Sequence, residues 1–430
     1  MHMEARVGGR LDDGALRAAV GVVLDAEPGL RARQSAASRW RSGFYWEYRD
    51  APDLDPVLTA SFADESELDL LRSWLLSQSP PLRVSPPLRF LIASGPGGDA
   101  LILNAHHSLV DGLSCLRLMR RVAKEYTLLT GSLGRDAAWT DERSEEGRRH
   151  PEAPRHAGAG GSGGSPPGRQ SGGSSPRANQ SPPRVRTAKI AREPEPGPPS
   201  ARDGYGARQL TWEGLRDTAW LRSAGISVND LLIAALMITI SDWNARHGRR
   251  PGLIRITMPV GDRAQAGADG LWANTSRLTT VTGQVAPGTS ALDLLADVAA
   301  QTTYAKEHAG PQVDFFSRTL AAAPIPVAVK ERVLRTALGL GGSFLCDTCL
   351  VSNLGVIEPI GFGAMTATQL WFSTFAHMPR GLSLGALSTA GALHLTFRYR
   401  RALLSDQAAA DFAGRYAEAL DRLASAEAAS

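Results

Sequence analysis

The sequence predicts a mixed α/β (α+β) protein, with a helix-and-strand half on either side of a polar middle. Three observations carry this. Apolar residues recur at helical spacing in several segments of each half, and short apolar or alternating runs bounded by turn residues lie between them. Residues 137–204 are rich in Gly, Pro, Ser and Arg, with almost no aromatic or branched apolar residue between Trp139 and Tyr205. Such a composition cannot bury enough surface to offset the entropy of ordering it, so it reads as a flexible linker. The expected organisation is residues 1–136, a linker over 137–204, and residues 205–430.

In the first half, Leu16, Ala19, Val20, Val23 and Leu24 make one apolar helix face, with Asp12 or Asp13 as its cap. Residues 40–48 alternate bulky and polar side chains like a strand, and a second helix is expected over 66–76. Residues 88–93 and 99–104 read as a hairpin across Gly95-Pro96-Gly97-Gly98. Leu113, Leu116, Met119, Val122, Ala123 and Tyr126 then give a third helix. In the second half, strands are expected at 205–212, 253–260, 344–352, 367–375, 382–388 and 392–399. Helices are expected over 229–243, after Ser290, and from Ser405 through Leu423.

The stretch His106-His107-Ser108-Leu109-Val110-Asp111-Gly112 falls between the hairpin and the third helix, where side chains sit at a rigid, solvent-reachable edge. An imidazole, with an unperturbed pKa of about 6.5, can act as a general base near neutral pH without special tuning. On a strand, adjacent histidines face opposite sides, so one can be buried as scaffold while the other faces a cavity. Asp111 reads as structural. Gly112 reads either as a plain turn glycine or as a position left bare so that substrate can approach beside a backbone N–H.

The H-H-x-x-x-D-G pattern of His106 to Gly112 resembles the signature of the condensation-domain superfamily. Its members include peptide-synthetase condensation domains, mycobacterial polyketide-associated acyltransferases and bacterial wax ester synthase/diacylglycerol acyltransferases. Further segments fall in the order of that family. The opening from Arg10 to Leu16 through Glu27-Pro28-Gly29-Leu30-Arg31-Ala32-Arg33 resembles its first strand, first helix and following turn. Thr257-Met258-Pro259-Val260-Gly261-Asp262-Arg263 with Asn274, and Val351-Ser352-Asn353-Leu354-Gly355, resemble two later family segments. The plant-type D-F-G-W-G motif is absent, and the short segment that precedes the family's first strand is expected to be missing or replaced.

The resemblance implies two chloramphenicol-acetyltransferase-like subdomains, forming a pseudo-dimer around a central substrate tunnel. It makes His107 the catalytic base, leaves His106 a supporting role, and pairs Asp111 with Arg263 in a structural ion pair. Ser352, Asn353 and Ser373 are tunnel-lining candidates. The implied activity is transfer of an acyl group from a thioester donor, an acyl-CoA or an acyl or peptidyl carrier protein, to a hydroxyl or amine, in secondary or lipid metabolism. CoA or a phosphopantetheine thioester is then a co-substrate, with no permanently bound cofactor. Two other readings stay open: an epimerase-like relative that abstracts a proton alpha to a carrier-bound thioester, and a non-catalytic carrier-protein recruitment domain.

Composition narrows the remainder. With 47 basic and 43 acidic residues the net charge is +4, too small for a nucleic-acid footprint. Cys115, Cys346 and Cys349 cannot build a disulfide framework, and no secretory leader is evident, so a reducing, cytoplasmic location is expected. No run approaches the roughly 18 apolar residues of a membrane span. Cys346 and Cys349 lack the second pair a zinc site needs, so no metal is expected. The G-x-S-x-G at 160–164 has neither the strand before it nor the helix after it that a nucleophile elbow requires. Nucleotide-binding and zinc-protease motifs are absent. A pseudo-dimer closes its own active site, so a monomer is expected.

Overall fold

The computed structural model describes residues 1–36, 40–43, 45–131, 187–260, 277–286, 288–307, 323–334, 336, 346–367 and 369–425. Its first half runs β1 (His2–Val7), α1 (Asp13–Ala26), β2 (Ala32–Gln34), β3 (Trp46–Tyr48), β4 (Val57–Ser61), α2 (Glu65–Ser77), β5 (Leu88–Gly95), β6 (Gly98–Ala105) and α3 (Gly112–Leu129). The second runs β7 (Tyr205–Trp212), α4 (Ala219–Ser223), α5 (Val228–Arg246), β8 (Ile254–Val260), β9 (Arg277–Gly283) and α6 (Ala291–Glu307). It continues with β10 (Cys349–Val356), β11 (Ile360–Phe362), β12 (Met365–Ala367), β13 (Gln369–Ser373), β14 (Leu382–Thr389), β15 (Ala392–Arg400) and α7 (Asp406–Ala424). The mixed α/β class expected from the sequence is present.

The apolar periodicities define what packs where. Leu16, Ala19, Val20, Val23 and Leu24 of α1 are all buried, and Asp12 caps the helix by accepting from the Ala15 N–H at 2.7 Å. They meet Leu116, Met119, Val122, Ala123 and Tyr126 of α3 and Met3, Ala5 and Val7 of β1 in one core. Each large side chain so buried contributes about 1.5–3 kcal/mol. On the opposite face of the same sheet, Leu68 and Leu75 of α2 pack on Leu91, Ala93, Ala100 and Ile102. The second core joins α5, α6 and α7 to the apolar faces of β8, β14 and β15.

The strand orders are β13-β1-β6-β5-β4 and β7-β15-β14-β10-β8-β9. Three features depart from the sequence reading. The first strand lies at His2–Val7, ahead of the segment that resembles the family's opening. The run at 367–375, expected among the second half's strands, supplies β13 to the first sheet instead. There it pairs antiparallel with β1 in the register His2↔Ser373, Met3↔Phe372 and Glu4↔Trp371. The 40–48 segment shortens to β3, which pairs with β2 as a separate ribbon.

Of the predicted linker, residues 137–186 lie outside the described residues. Residues 187–204 share its composition, yet their opening packs on α5. Ile190 and Ala191 are buried, Trp243 Nε1 donates to the Ala191 carbonyl at 3.0 Å, and Asn244 Oδ1 accepts from the Ala191 N–H at 2.7 Å. A few anchoring contacts seat this segment, and composition does not register them.

On the polar face of β1, His2 and Glu4 are as buried as the apolar residues opposite, and Arg6 is half-buried. Arg72 of α2 forks onto Glu4, with Nε donating to Oε2 at 2.7 Å and Nη2 to Oε1 at 2.9 Å. Gln209 of β7 adds a donor to the same carboxylate at 3.0 Å, tying the second sheet to the first. Burial alone would push the Glu4 carboxyl up. The Arg72 charge and its hydrogen bonds override this and hold it well below its ordinary value of 4.5.

Removing one partner of a buried pair costs about 3–5 kcal/mol, whereas replacing both with apolar groups of similar volume costs far less. Glu4→Leu and Arg72→Met are each expected to lose that much stability in chemical denaturation, and the double variant less than the sum. Because the folded carboxyl is depressed, its contribution is full above 4.5 and declines as pH falls through the folded value. Strictly additive losses with no acid dependence would show that the pair is uncoupled.

Candidate active site

The β5–β6 hairpin ends at Ala105, and α3 starts at Gly112, so the histidine motif spans the connection between them. Both histidines lie past the strand end, in and before a turn over 107–109, and both are half-buried. They therefore do not alternate across a strand. His106 is held by its own loop: its N–H donates to the Pro87 carbonyl at 3.0 Å, and its Nδ1 accepts from the Ser108 N–H at 3.1 Å. Burial brings its pKa down to about 4.

His107 stacks on Phe375, with ring centroids 4.7 Å apart at 40°, and makes a backbone hydrogen bond with Val110. Its pKa is lowered chiefly by burial, while the Val110 bond and the Asp111 charge act in the other direction. The imidazole is therefore in its neutral, proton-accepting form at neutral pH.

Asp111 is buried and caps α3, its Oδ1 accepting from the Ser114 N–H at 2.8 Å. The carboxylate thus fixes where the helix begins and, with it, the geometry of the turn that carries His107. Arg263, its implied partner, lies outside the described residues. Gly112 is explained by packing from the second half. A Cβ there would stand 2.8 Å from Phe372 Cζ of β13 and 2.9 Å from Leu354 Cδ2 of β10.

The three tunnel candidates separate. Ser352 is buried on a cross-strand row with Gly385, Thr396 and Gln209, the row that faces Glu4 and the first half. Asn353 is half-buried, and its Oδ1 accepts from the Gly355 N–H at 2.9 Å. Ser373 is wholly buried, with its hydroxyl 3.2 Å from His2 Nδ1.

Residues not singled out by the sequence complete the surroundings of His107. His377 lies beyond Phe375, ring centroids 5.4 Å apart, and its Nδ1 is 3.0 Å from the Tyr205 hydroxyl. Arg398 and Arg400 of β15 hold their guanidiniums 4.5 and 4.6 Å from the Tyr205 ring centroid. Alternation along β15 gave the only sequence signal for the pair, because residues two apart on a strand share a face. The thiols nearest in sequence to the motif segments are inert: burial pushes Cys115 and Cys349 up to about 12.

No family model matches the chain. Over 429 residues it is 28% identical to the uncharacterized protein Rv2305 of Mycobacterium tuberculosis, covering 98% of this chain and 94% of that one. The first condensation domain of the CDA synthetase superposes with a TM-score of 0.60 at 16% identity, over 98% of this chain and 90% of that domain. The epimerization domain from the third module of tyrocidine synthetase B does so with a TM-score of 0.55 at 15% identity, over 99% and 92%. The chain has the condensation-domain fold. That fold serves condensation and epimerization domains alike, so the reaction has to be argued from the site.

Asn is as good a helix cap as Asp, and Ala is not, at a cost of about 0.5–2 kcal/mol. Asp111→Ala is therefore expected to lower stability by that amount in thermal or urea denaturation, and Asp111→Asn to restore most of it. An Asn variant as unstable as the Ala variant would show that the charge matters beyond the cap.

Proposed function

We propose that this condensation-domain fold carries out direct acyl transfer from a thioester, either an acyl-CoA or an acyl group on a carrier protein's phosphopantetheine arm, to a hydroxyl or amine, with His107 as the general base. The observation that carries this reading is the seat of His107. It is a neutral imidazole, half-buried against Phe375 and fixed by the Val110 backbone, at a turn locked by the Asp111 cap.

In the proposed step, the acceptor's O–H or N–H proton passes to His107 as its lone pair attacks the thioester carbonyl. The carbonyl π electrons move onto oxygen, where backbone N–H groups and the Asn353 carboxamide would stabilise the charge. Collapse of the tetrahedral intermediate breaks the C–S bond, and the imidazolium returns its proton to the departing thiolate. No acyl-enzyme is invoked, in keeping with the buried, protonated state of Cys115 and Cys349. Donor and acceptor would meet in a tunnel between the two halves, with Ser352 on its wall.

The epimerization-domain likeness favours one second reading, in which the same base removes a proton alpha to the thioester. Solvent deuterium entering the acyl group without any acceptor would identify it.

Thiol release from acyl-CoA and acyl-carrier donors, with alcohol and amine acceptors and products followed by mass, tests the proposal. His107→Ala is expected to cost about 10²–10⁴ in rate. Because a base must be neutral and burial lowers the His107 pKa, kcat/KM is expected to hold steady through neutrality. It should fall only on an acidic limb below 6.5. Undiminished turnover in His107→Ala would remove the base, and carrier binding with no turnover by either protein would leave a recruitment role.

A further inference from the structure

We infer that Tyr205, His377, Arg398 and Arg400 form a receptor for a carboxylate on the acceptor, so that the acyl group is passed to a hydroxy acid or an amino acid. This rests on the reading of His107 as the base. The starting observation is an imbalance of charge. Arg398 is buried within the fold and Arg400 half-buried, and no carboxylate among the described residues lies within ion-pair distance of either. By contrast, Arg72, equally buried, has Glu4 forked onto it.

A purely structural role accounts for part of this arrangement. Arg398 Nη2 donates to the Leu76 carbonyl at 3.0 Å, which caps the end of α2 and sets the charge against the negative end of the helix dipole. That partial charge, about half a unit, does not balance two guanidiniums. Among the described residues the buried Arg398 Nε has no hydrogen-bond partner, and the Arg400 guanidinium lies over the Tyr205 ring. Desolvation lowers the Arg398 pKa to about 10, in keeping with a cation whose burial is only partly compensated. Buried charges are ordinarily paired, so the unmet donors and the Tyr205 hydroxyl describe the complement of a planar oxyanion.

Position favours the acceptor as its carrier. His377 bonds Tyr205 and is separated from His107 by the single ring of Phe375. A group held there would sit two ring contacts from the base, within the length of a small hydroxy or amino acid. A donor's phosphates, by contrast, are separated from its reacting carbonyl by the whole pantetheine arm.

The test compares L-alanine and 3-hydroxybutyrate with their methyl esters as acceptors, using butyryl-CoA and the phosphate-free butyryl thioester of N-acetylcysteamine as donors. Charged hydrogen bonds of this kind correspond to about 10–100-fold in kcat/KM. The wild type is expected to prefer acid over ester by that factor with either donor, and Arg400→Gln and Arg398→Lys to collapse the preference. Arg400→Gln removes no side-chain hydrogen bond among the described residues, only its contact with the Tyr205 ring, so its melting temperature should change little. NMR line broadening of the ¹³C-labelled acids reads carboxylate binding without turnover. Binding that is lost in Arg400→Gln upholds the receptor even if no acceptor turns over, an outcome that would sink the acyl-transfer reading alone. Equal rates for acid and ester, or a variant defect seen only with butyryl-CoA, which would mark a donor phosphate as the bound anion, overturns the receptor and leaves acyl transfer standing.

Discussion

The docking of β13 onto β1 is the constraint on which the site depends. This strand leaves the second half, completes the first sheet and returns to β14, so it belongs to both halves at once. Its close approach to β14 requires the missing side chain of Gly385, where a Cβ would overlap the Phe372 carbonyl. Its Phe372 ring then fills the space over Gly112, and the chain beyond it delivers Phe375 and His377 to His107. The histidine motif is encoded in the first half, but its surroundings are encoded in the second.

Beside the apolar contact of Phe372, Leu354 and Leu387 with the first core, part of the seam between the halves is polar. A wholly apolar seam would close more tightly but could hold neither an imidazole that takes up a proton nor the donors around it. Instead Glu4, Arg72, Gln209 and His2 satisfy much of one another's bonding capacity on one side. Ser352, Thr396 and Arg398 line the other along the β10–β14–β15 rows. The satisfied Glu4–Arg72–Gln209 part of this network rigidifies the seam and specifies its arrangement, whereas Thr396 Oγ1 and Arg398 Nε are left without a partner among the described residues.

How legible each part was in the sequence follows from the range of the interactions that form it. The hairpin before the motif, the caps at Asp12 and Ser405, and the apolar faces of α1 and α3 rest on neighbours a few residues apart, and all were readable. The strand β1 was missed because both its faces are buried. His2 and Glu4 give it an alternation that reads as a solvent-facing edge, and only Arg72, far along the chain, makes that face an interior one. The strand character of β13 was visible, but its partner was not, since pairing between distant strands leaves no local periodicity. Resemblance named His107 and Asp111 but not the cap that Asp111 provides, and it was silent on Tyr205, Arg398 and Arg400, which meet His377 only through the fold.

The cations around His377 have one electrostatic consequence beyond recognition. After burial itself, Arg398 and Arg400 are the next causes that lower the His377 pKa, and His377 in turn opposes protonation of His107. Positive charge placed beside a base keeps it unprotonated while drawing anions toward it. A carboxylate arriving at the arginines would relieve part of that field. It would thereby raise the proton affinity of His377, whose pKa those guanidiniums hold down. Occupancy of the cluster and basicity of His377, the second ring on Phe375, would then be coupled through charge.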